Sequence, residues 1–230
     1  MQHVGCAEPR HHQSVQVKIC GITSLKDALC AAEAGADALG FVFFKKSPRY
    51  IEPQLAKSII AQLPPLLVPV GIFVNEELDY VRTLIDECGL ALAQLHGDEP
   101  PTYCEALGRP VLRGIRLRDR RTFLAMAEYR GRARVRGFVI DAYHEAAYGG
   151  TGQQADWNLA AEVATAAPIL LAGGLTPDNV EEAIRRVQPY GVDVSSGVES
   201  SPGKKDPSKV HAFIHAVKLV SLTTSRYTQP

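Results

Sequence analysis

The 230-residue sequence predicts a single α/β domain folded as a (β/α)8 barrel, the TIM-barrel class. Eight short apolar runs rich in β-branched residues alternate with eight stretches of helical periodicity, a pattern typical of βαβ units and a parallel sheet. These units occupy roughly 210 residues, within the roughly 200–250 of a small barrel. The predicted strands are Val17–Ile22, Ala38–Phe43, Leu67–Val74, Leu90–His96, Val111–Leu117, Phe138–Ala142, Ile169–Ala172 and Val192–Ser195. The predicted helices are Leu25–Ala34, Pro53–Gln62, Leu78–Cys88, Pro101–Leu107, Arg121–Tyr129, Trp157–Thr165, Asp178–Val187 and Pro207–Leu219.

The composition of the predicted elements supports their assignment. The strands are apolar at nearly every position, as expected for parallel strands that are buried on both faces. In the first helix, Ser24 is the predicted N-cap and Gly35 suits the left-handed position after the last turn. In the seventh, Thr176 is the predicted N-cap and Pro177 the first helical residue. A doubly wound open sheet is the alternative, but no GxGxxG motif follows the first strand.

The sequence predicts one domain with short extensions. We expect the barrel over 15–222, a flexible N-terminal extension over 1–14 and a C-terminal tail over 223–230. The N-terminal residues lack the apolar segment of a signal peptide, and no apolar run approaches the ~18 residues of a membrane span. The five cysteines are odd in number and form no CxxC pair, which favours reduced thiols and a cytoplasmic location.

The charge balance argues against a nucleic-acid partner. The chain has 25 basic and 25 acidic side chains, so no overall positive field exists to attract phosphate backbones. Residues 109–136 hold ten arginines against two acids, Asp119 and Glu128. A nucleic-acid patch and a solvated helix with arginine-rich flanks both fit this segment, and the zero net charge favours the solvated helix. No histidine pair has zinc-motif spacing, so we expect no metal.

Two loops of small residues predict a phosphate site. In this fold class, functional side chains lie at the carboxyl ends of the strands and in the loops that follow. Gly173 and Gly174 follow the seventh strand, and Ser195, Ser196 and Gly197 follow the eighth. Small residues let backbone N–H groups approach an anion closely, and barrel phosphate sites recur at these two loops. The glycines could merely make tight turns, but their paired position favours a phosphorylated small molecule as substrate.

Cys20 and Asp141 are the candidate acid–base pair, because they end the first and sixth strands. A thiol has an unperturbed pKa of ~8.5, so a nearby cation can make it a usable base near neutrality. A carboxyl group can act as a general acid if its surroundings raise its pKa. A lone cysteine is more often a small buried apolar residue, but the position at the barrel mouth favours a function. Lys18 shares a strand face with Cys20, which we expect to be the barrel interior.

These strand ends, in this order, resemble those of the phosphoribosylanthranilate isomerase family of tryptophan biosynthesis. One such segment would be weak evidence, whereas eight in register are specific. The matching segments are Val17–Thr23, Gly35–Phe43, Ser47–Arg49, Val70–Asn75, Gln94–Glu99, Gly149–Gly152, Leu171–Val180 and Asp193–Glu199.

The resemblance implies an Amadori rearrangement of N-(5-phosphoribosyl)anthranilate to its 1-deoxyribulose isomer, without a cofactor. Asp141 matches the family's acid, which protonates the furanose oxygen and opens the ring to an iminium. Cys20 matches the base, which then removes the C2 proton. Arg49 matches the residue that engages the anthranilate carboxylate, for which a guanidinium fork is well suited. His96 and Asp193 match substrate-binding positions at the mouth.

The chain departs from the family pattern after the sixth strand. Ala155 stands where an aromatic usually precedes the pair Asp156-Trp157, and residues 142–148 have no residue-by-residue match. We expect both departures to affect the packing of this loop over the substrate rather than the chemistry.

Two other functions stay open at this point. The related isomerase of histidine biosynthesis rearranges a larger bis-phosphate, but its base is an aspartate where this chain has Cys20. A non-catalytic phosphosugar-binding barrel would keep the phosphate loops and lose the acid–base pair. We expect a monomer or a homodimer, with neither nucleic acid nor a membrane as partner.

Overall fold

The computed structural model describes residues 14–141 and 157–226 and confirms the predicted closed barrel. Its strands are β1 (Gln16–Cys20), β2 (Ala38–Val42), β3 (Val68–Phe73), β4 (Leu92–Leu95), β5 (Val111–Arg116), β6 (Val135–Asp141), β7 (Ile169–Ala172) and β8 (Gly191–Val194). The eight strands follow one another around the ring in chain order, and β1 pairs in parallel with both β2 and β8. Closure therefore leaves none of these eight strands with an unpaired edge.

Eight α-helices of the part of the chain that the structure describes surround this ring. They are α1 (Leu25–Ala34), α2 (Pro53–Ile60), α3 (Leu78–Cys88), α4 (Pro101–Leu107), α5 (Arg120–Ala125), α6 (Trp157–Ala166), α7 (Val180–Val187) and α8 (Pro207–Arg226). A two-stranded hairpin of β9 (Glu199–Ser201) and β10 (Lys204–Lys205) lies between β8 and α8. The predicted caps of α1 are confirmed: the Ser24 hydroxyl accepts from the Asp27 N–H at 3.1 Å, and Gly35 has a φ of 96°.

Several predicted boundaries differ from the structure, among them those of α5, which spans Arg120–Ala125, and of α7, β6 and α8. Helix α7 begins at Val180 with Asn179 at its N-cap position, so the predicted N-cap at Thr176 was wrong; the Asn179 side chain instead accepts from the Thr176 N–H at 2.8 Å. Strand β6 begins at Val135 because an irregular pairing with β5 extends the ladder upstream of the apolar run. Helix α8 continues to Arg226, past the expected end of the barrel at residue 222.

The strands separate an inner apolar cluster from an outer one. The inner cluster is built on Val70, Leu112 and Val139. The outer one lies between the strands and the helices and includes Val17 and Ile19 of β1. Since successive strand residues point to opposite faces, Lys18 and Cys20 face the barrel axis, as the sequence predicted.

One arginine of the arginine-rich segment is not solvated. The Arg113 side chain is 6% exposed and donates hydrogen bonds to the carbonyls of Leu95 at 2.6 Å and Gly97 at 2.7 Å. It also bonds to the buried Glu99 carboxylate at 3.2 Å, so it ties β5 to the loop after β4. The prediction of a solvated segment is wrong for Arg113, while the other arginines of 109–136 are exposed. No helix among the described residues has both the length and the apolarity needed to cross a membrane.

Candidate active site

A polar layer closes the carboxyl end of the barrel above its apolar interior. Lys18 and Cys20 of β1, Asp141 of β6 and Asp193 of β8 contribute to it, and His96 follows the last residue of β4. Four of these five residues are sequence-predicted site residues, and the fold brings them to one mouth. Lys18 was expected inside the barrel but was not expected to take part in the site.

Cys20 occupies space that a glycine on the neighbouring strand provides. A Cβ on Gly40 of β2 would lie 2.8 Å from the Cys20 sulfur, so any larger residue there would displace the thiol. Burial raises the pKa of the Cys20 thiol above its ordinary value, and the Lys18 and Lys205 ammonium groups oppose this rise while Asp193 adds to it. The thiol is partly exposed to the barrel mouth, so it can reach a bound molecule.

Lys18 and Asp193 form a buried ion pair beside this thiol. They are register partners on β1 and β8, and 2.7 Å separates Lys18 Nζ from Asp193 Oδ2. Burial alone would lower the pKa of Lys18, but Asp193 and Cys20 outweigh it and raise the pKa. The second oxygen of Asp193, Oδ1, is buried and has no hydrogen-bond partner among the residues that the structure describes. A buried acceptor without a partner is costly, so a donor from a ligand would be favourable there.

Asp141 has the surroundings of a general acid. Burial raises the pKa of its carboxyl group above the ordinary value; Arg116 opposes the rise and Asp193 adds to it. Arg116 is the register partner of Asp141 on β5. Asp193 therefore acts on both members of the candidate acid–base pair, since it also raises the pKa of Cys20.

His96 lies in the mouth as a neutral side chain at pH 7. Burial, together with the positive charge of Lys18, lowers its pKa to about 4. Its Nδ1 is 3.2 Å from the Gln94 amide nitrogen, and a Cβ on Gly114 would collide with the ring. A cavity of about 440 Å³ extends from His96 toward Arg116 and Thr122, at the β4–β5 side of the mouth.

Arg49 reaches the mouth from the loop after β2 and is held by a carboxylate. Its Nε and Nη2 donate to the two oxygens of Glu199 at 2.8 and 2.7 Å, a bidentate pair. Burial works against the ionised form of Glu199, but hydrogen bonds from Arg49 and Lys205 hold its pKa below the ordinary value. A guanidinium has five N–H donors, so three are left to reach a substrate carboxylate.

The two predicted phosphate loops lie next to each other after β7 and β8. Gly173 and Gly174 have φ values of 90° and 67°, and a Cβ on Gly174 would meet open space. A short 3-10 helix, Ser196–Val198, begins in the second loop, so its first N–H groups have no helical acceptor. A Cβ on Gly197 would collide with the Leu175 carbonyl of the first loop, so the close approach of the two loops requires glycine at this position. The predicted glycine loop, Gly149–Gly152, lies outside the described residues.

Comparisons with known proteins identify the family of this chain. The family model of N-(5'phosphoribosyl)anthranilate (PRA) isomerase matches residues 17–216. The chain belongs to the phosphoribosylanthranilate isomerase family. A family relative from Citrifermentans bemidjiense is 54% identical over 207 residues, which cover 90% of this chain and 98% of the relative.

Solved structures of this isomerase family have the same fold. A crystal structure of phosphoribosyl anthranilate isomerase in complex with reduced 1-(o-carboxyphenylamino)-1-deoxyribulose 5-phosphate is 40% identical, with a TM-score of 0.79 over 89% of this chain and 98% of that one. A structure of monomers of the dimeric isomerase from Thermotoga maritima is 39% identical, with a TM-score of 0.78 and the same coverage. The chain is therefore an isomerase of tryptophan biosynthesis with a TIM-barrel fold, as its sequence predicted.

Sequence reasoning missed three charged residues of the isomerase site: Lys18, Glu199 and Lys205. Each is buried, and each forms an ion pair with a residue of the site. The sequence held a signal for Lys18 and Glu199. Each is a charged residue next to a strand-end motif inside a buried segment, and such a residue needs a partner. Among the described residues, no cluster of three or more His, Cys, Asp or Glu side chains is arranged to hold a metal ion.

Proposed function

We propose that this isomerase rearranges N-(5-phosphoribosyl)anthranilate with Asp141 as general acid and Cys20 as general base. The observation that carries this assignment is the shared electrostatic neighbour of the two groups, Asp193, at the mouth formed by β1, β6 and β8. A raised pKa keeps a larger fraction of Asp141 protonated, which the acid role requires.

The steps conserve atoms and charge. Asp141 gives its proton to the furanose ring oxygen while the nitrogen lone pair forms a C=N bond, so the C1–O bond breaks and an iminium results. The Cys20 thiolate takes the C2 proton, and the C–H electrons neutralise the iminium to an enolamine. Tautomerisation moves one proton from the enol oxygen to C1 and gives the ketone, and solvent returns the proton of the Cys20 thiol to Asp141.

The remaining site residues bind the two anionic ends of the substrate. We assign the phosphate to the backbone N–H groups around Gly173, Gly174, Ser195, Ser196 and Gly197, where a helix start and small residues favour an anion. We assign the anthranilate carboxylate to Arg49. The unpartnered Oδ1 of Asp193 suits a substrate hydroxyl or anilino N–H, and neutral His96 can donate or accept on the opposite side.

Substrate turnover tests the assignment, followed by the loss of anthranilate-type fluorescence. We expect Cys20→Ala and Asp141→Asn each to lower kcat by about 10²–10⁴-fold, with KM changed little. Cys30→Ala, a partly exposed cysteine on α1, is the matched control and should keep full activity. Undiminished kcat in either site variant would remove that residue from its role.

Assembly and location are also proposals. A homodimer is supported by the dimeric relative from Thermotoga maritima, and a monomer is the alternative. The cytoplasmic location rests on the odd number of cysteines without CxxC pairing.

A further inference from the structure

Lys205 is a buried cation of the mouth that takes no part in the proposed acid–base steps. It lies on β10, and 5% of its surface is exposed. Its Nζ donates to Glu199 Oε1 at 2.9 Å and to the Ser195 carbonyl at 3.2 Å. Burying an ammonium group is costly unless its hydrogen bonds are satisfied, and Lys205 is held by one carboxylate and by the first residue of a phosphate loop.

The charges around Glu199 do not cancel. Arg49 and Glu199 alone would form a neutral pair, and a neutral pair attracts a substrate carboxylate weakly. Lys205 is the second cation on the same carboxylate, so the three side chains carry a net charge of +1. Arg49 has three N–H donors left after its pair with Glu199, so the excess positive charge lies beside donors that can bind a carboxylate.

Lys205 also belongs to the surroundings of the base. Gly21 follows Cys20 in sequence, and a Cβ on Gly21 would lie 2.6 Å from the Arg49 Cδ and 3.1 Å from the Ser195 hydroxyl. Ser195, whose carbonyl holds Lys205, and Arg49, which shares Glu199 with Lys205, therefore pack directly against the Cys20 segment. The charged groups that act on Cys20 are Lys18 of β1, Asp193 of β8, Lys205 of β10 and Arg49 of the loop after β2.

We propose that Lys205 is a positioning residue of the isomerase that serves both ends of the reaction. It supplies the net positive charge with which the Arg49–Glu199 pair attracts the substrate carboxylate, and it places a second cation, besides Lys18, next to the Cys20 base. The first half of this inference rests on the proposed function; the second does not, because the state of the thiol can be measured without substrate.

The central variant is Lys205→Met, which keeps the length of the side chain and removes its charge. Lys204→Met is the matched control, since Lys204 is the exposed neighbour on the same strand. We expect Lys205→Met to raise KM roughly tenfold, the loss typical of a charge-assisted contact. The pH midpoint for alkylation of Cys20 by iodoacetamide, followed on the Cys20 peptide by mass spectrometry, should rise on the order of one unit.

Restoring the net charge provides the decisive comparison. In Glu199→Gln/Lys205→Met the net charge is again +1, so the alkylation midpoint should return to within about 0.3 units of wild type. Glu199→Gln alone should lower the alkylation midpoint, and it keeps the proposal testable if Lys205→Met does not fold. A folded Lys205→Met with unchanged KM and midpoint, or the same rise of the alkylation midpoint in Lys205→Met and in the double variant, would overturn the proposal.

Failure of the proposed function would look different. In that case wild type and Lys204→Met would also fail to turn over N-(5-phosphoribosyl)anthranilate, while the alkylation midpoints of the same variants would still report whether Lys205 acts on Cys20.

Discussion

Lys18 and Asp193 form an ion pair inside the barrel, with 2.7 Å between Nζ and Oδ2 and with 1% and 7% of their side chains exposed. The pair joins the first strand to the last, and its lysine also approaches the Cys20 thiol. A buried pair gives little net stability over an apolar substitute, yet breaking it leaves an uncompensated charge. The pair therefore holds one positive and one negative group at fixed positions in the site, and it is not a major source of stability.

Lys18→Met should destabilise the protein by about 3–5 kcal/mol, because Asp193 is left buried and unpaired. Denaturant unfolding measures this loss. The exposed Lys26→Met on α1 serves as control and should change the free energy of unfolding by less than about 0.5 kcal/mol. Lys18→Met/Asp193→Asn should be more stable than Lys18→Met alone. Equal stability of wild type and Lys18→Met would contradict the buried pairing.

The pH profile of kcat/KM should be a plateau with two falling limbs. Burial raises the pKa of Asp141 above its ordinary acid value and that of Cys20 above its ordinary alkaline value, so the active form, protonated Asp141 with ionised Cys20, is a minor species. Its fraction is constant between the two pKa values and falls below the lower and above the higher. Stopped-flow turnover from acid to alkaline pH checks this shape. A maximum confined to one pH unit near neutrality would contradict it.

Acid should destabilise the fold through His96. Its pKa is about 4 in the folded protein, below the ordinary 6.5, so the unfolded chain binds more protons between these values. The contribution of His96 to the free energy of unfolding is fully present above pH 6.5. It falls by up to about 3 kcal/mol as the pH drops toward 4. We expect His96→Gln to remove much of that pH dependence in urea unfolding at pH 7 and pH 4. His215→Gln, an exposed histidine of α8, should leave it intact.

The two phosphate loops should respond differently to a methyl group. At Gly197 a Cβ collides with the Leu175 carbonyl, so Gly197→Ala should cost about 1–3 kcal/mol and displace one loop from the other. At Gly174 the Cβ meets open space, and only the left-handed φ of 67° opposes Gly174→Ala, at a cost of about 1 kcal/mol. Inhibition by inorganic phosphate, measured as a competitive inhibition constant, should weaken at least fivefold more in Gly197→Ala than in Gly174→Ala. The reverse order would remove the assigned phosphate site.

Local patterns predicted the barrel because each element carries its own signal. Ser24 and Gly35 delimit α1 by cap chemistry alone, and strand alternation placed Lys18 inside the ring. The start of β6 was missed because exposed Arg136 interrupts its apolar run. The start of α7 was missed because Asn179, rather than Thr176, occupies the N-cap position.

The partners of the site charges could not be predicted in the same way. Arg49 and Glu199 are 150 residues apart in sequence, and Lys18 and Asp193 are 175 apart. Pairing at such separations is decided by barrel closure, which no local window contains. The sequence therefore predicted which residues reach the mouth but not that Glu199 would hold Arg49, or that Lys205 would hold Glu199.

Pairing of β1 with β8 also has a consequence for the synthesis and folding of the protein. The ribosome makes the strand that carries the base first and the segment that supplies its counter-charges last. Until β8 leaves the ribosome, one edge of β1 lacks its partner strand and Lys18 lacks the Asp193 carboxylate. The charged groups around the base are therefore complete only after translation of nearly the whole barrel.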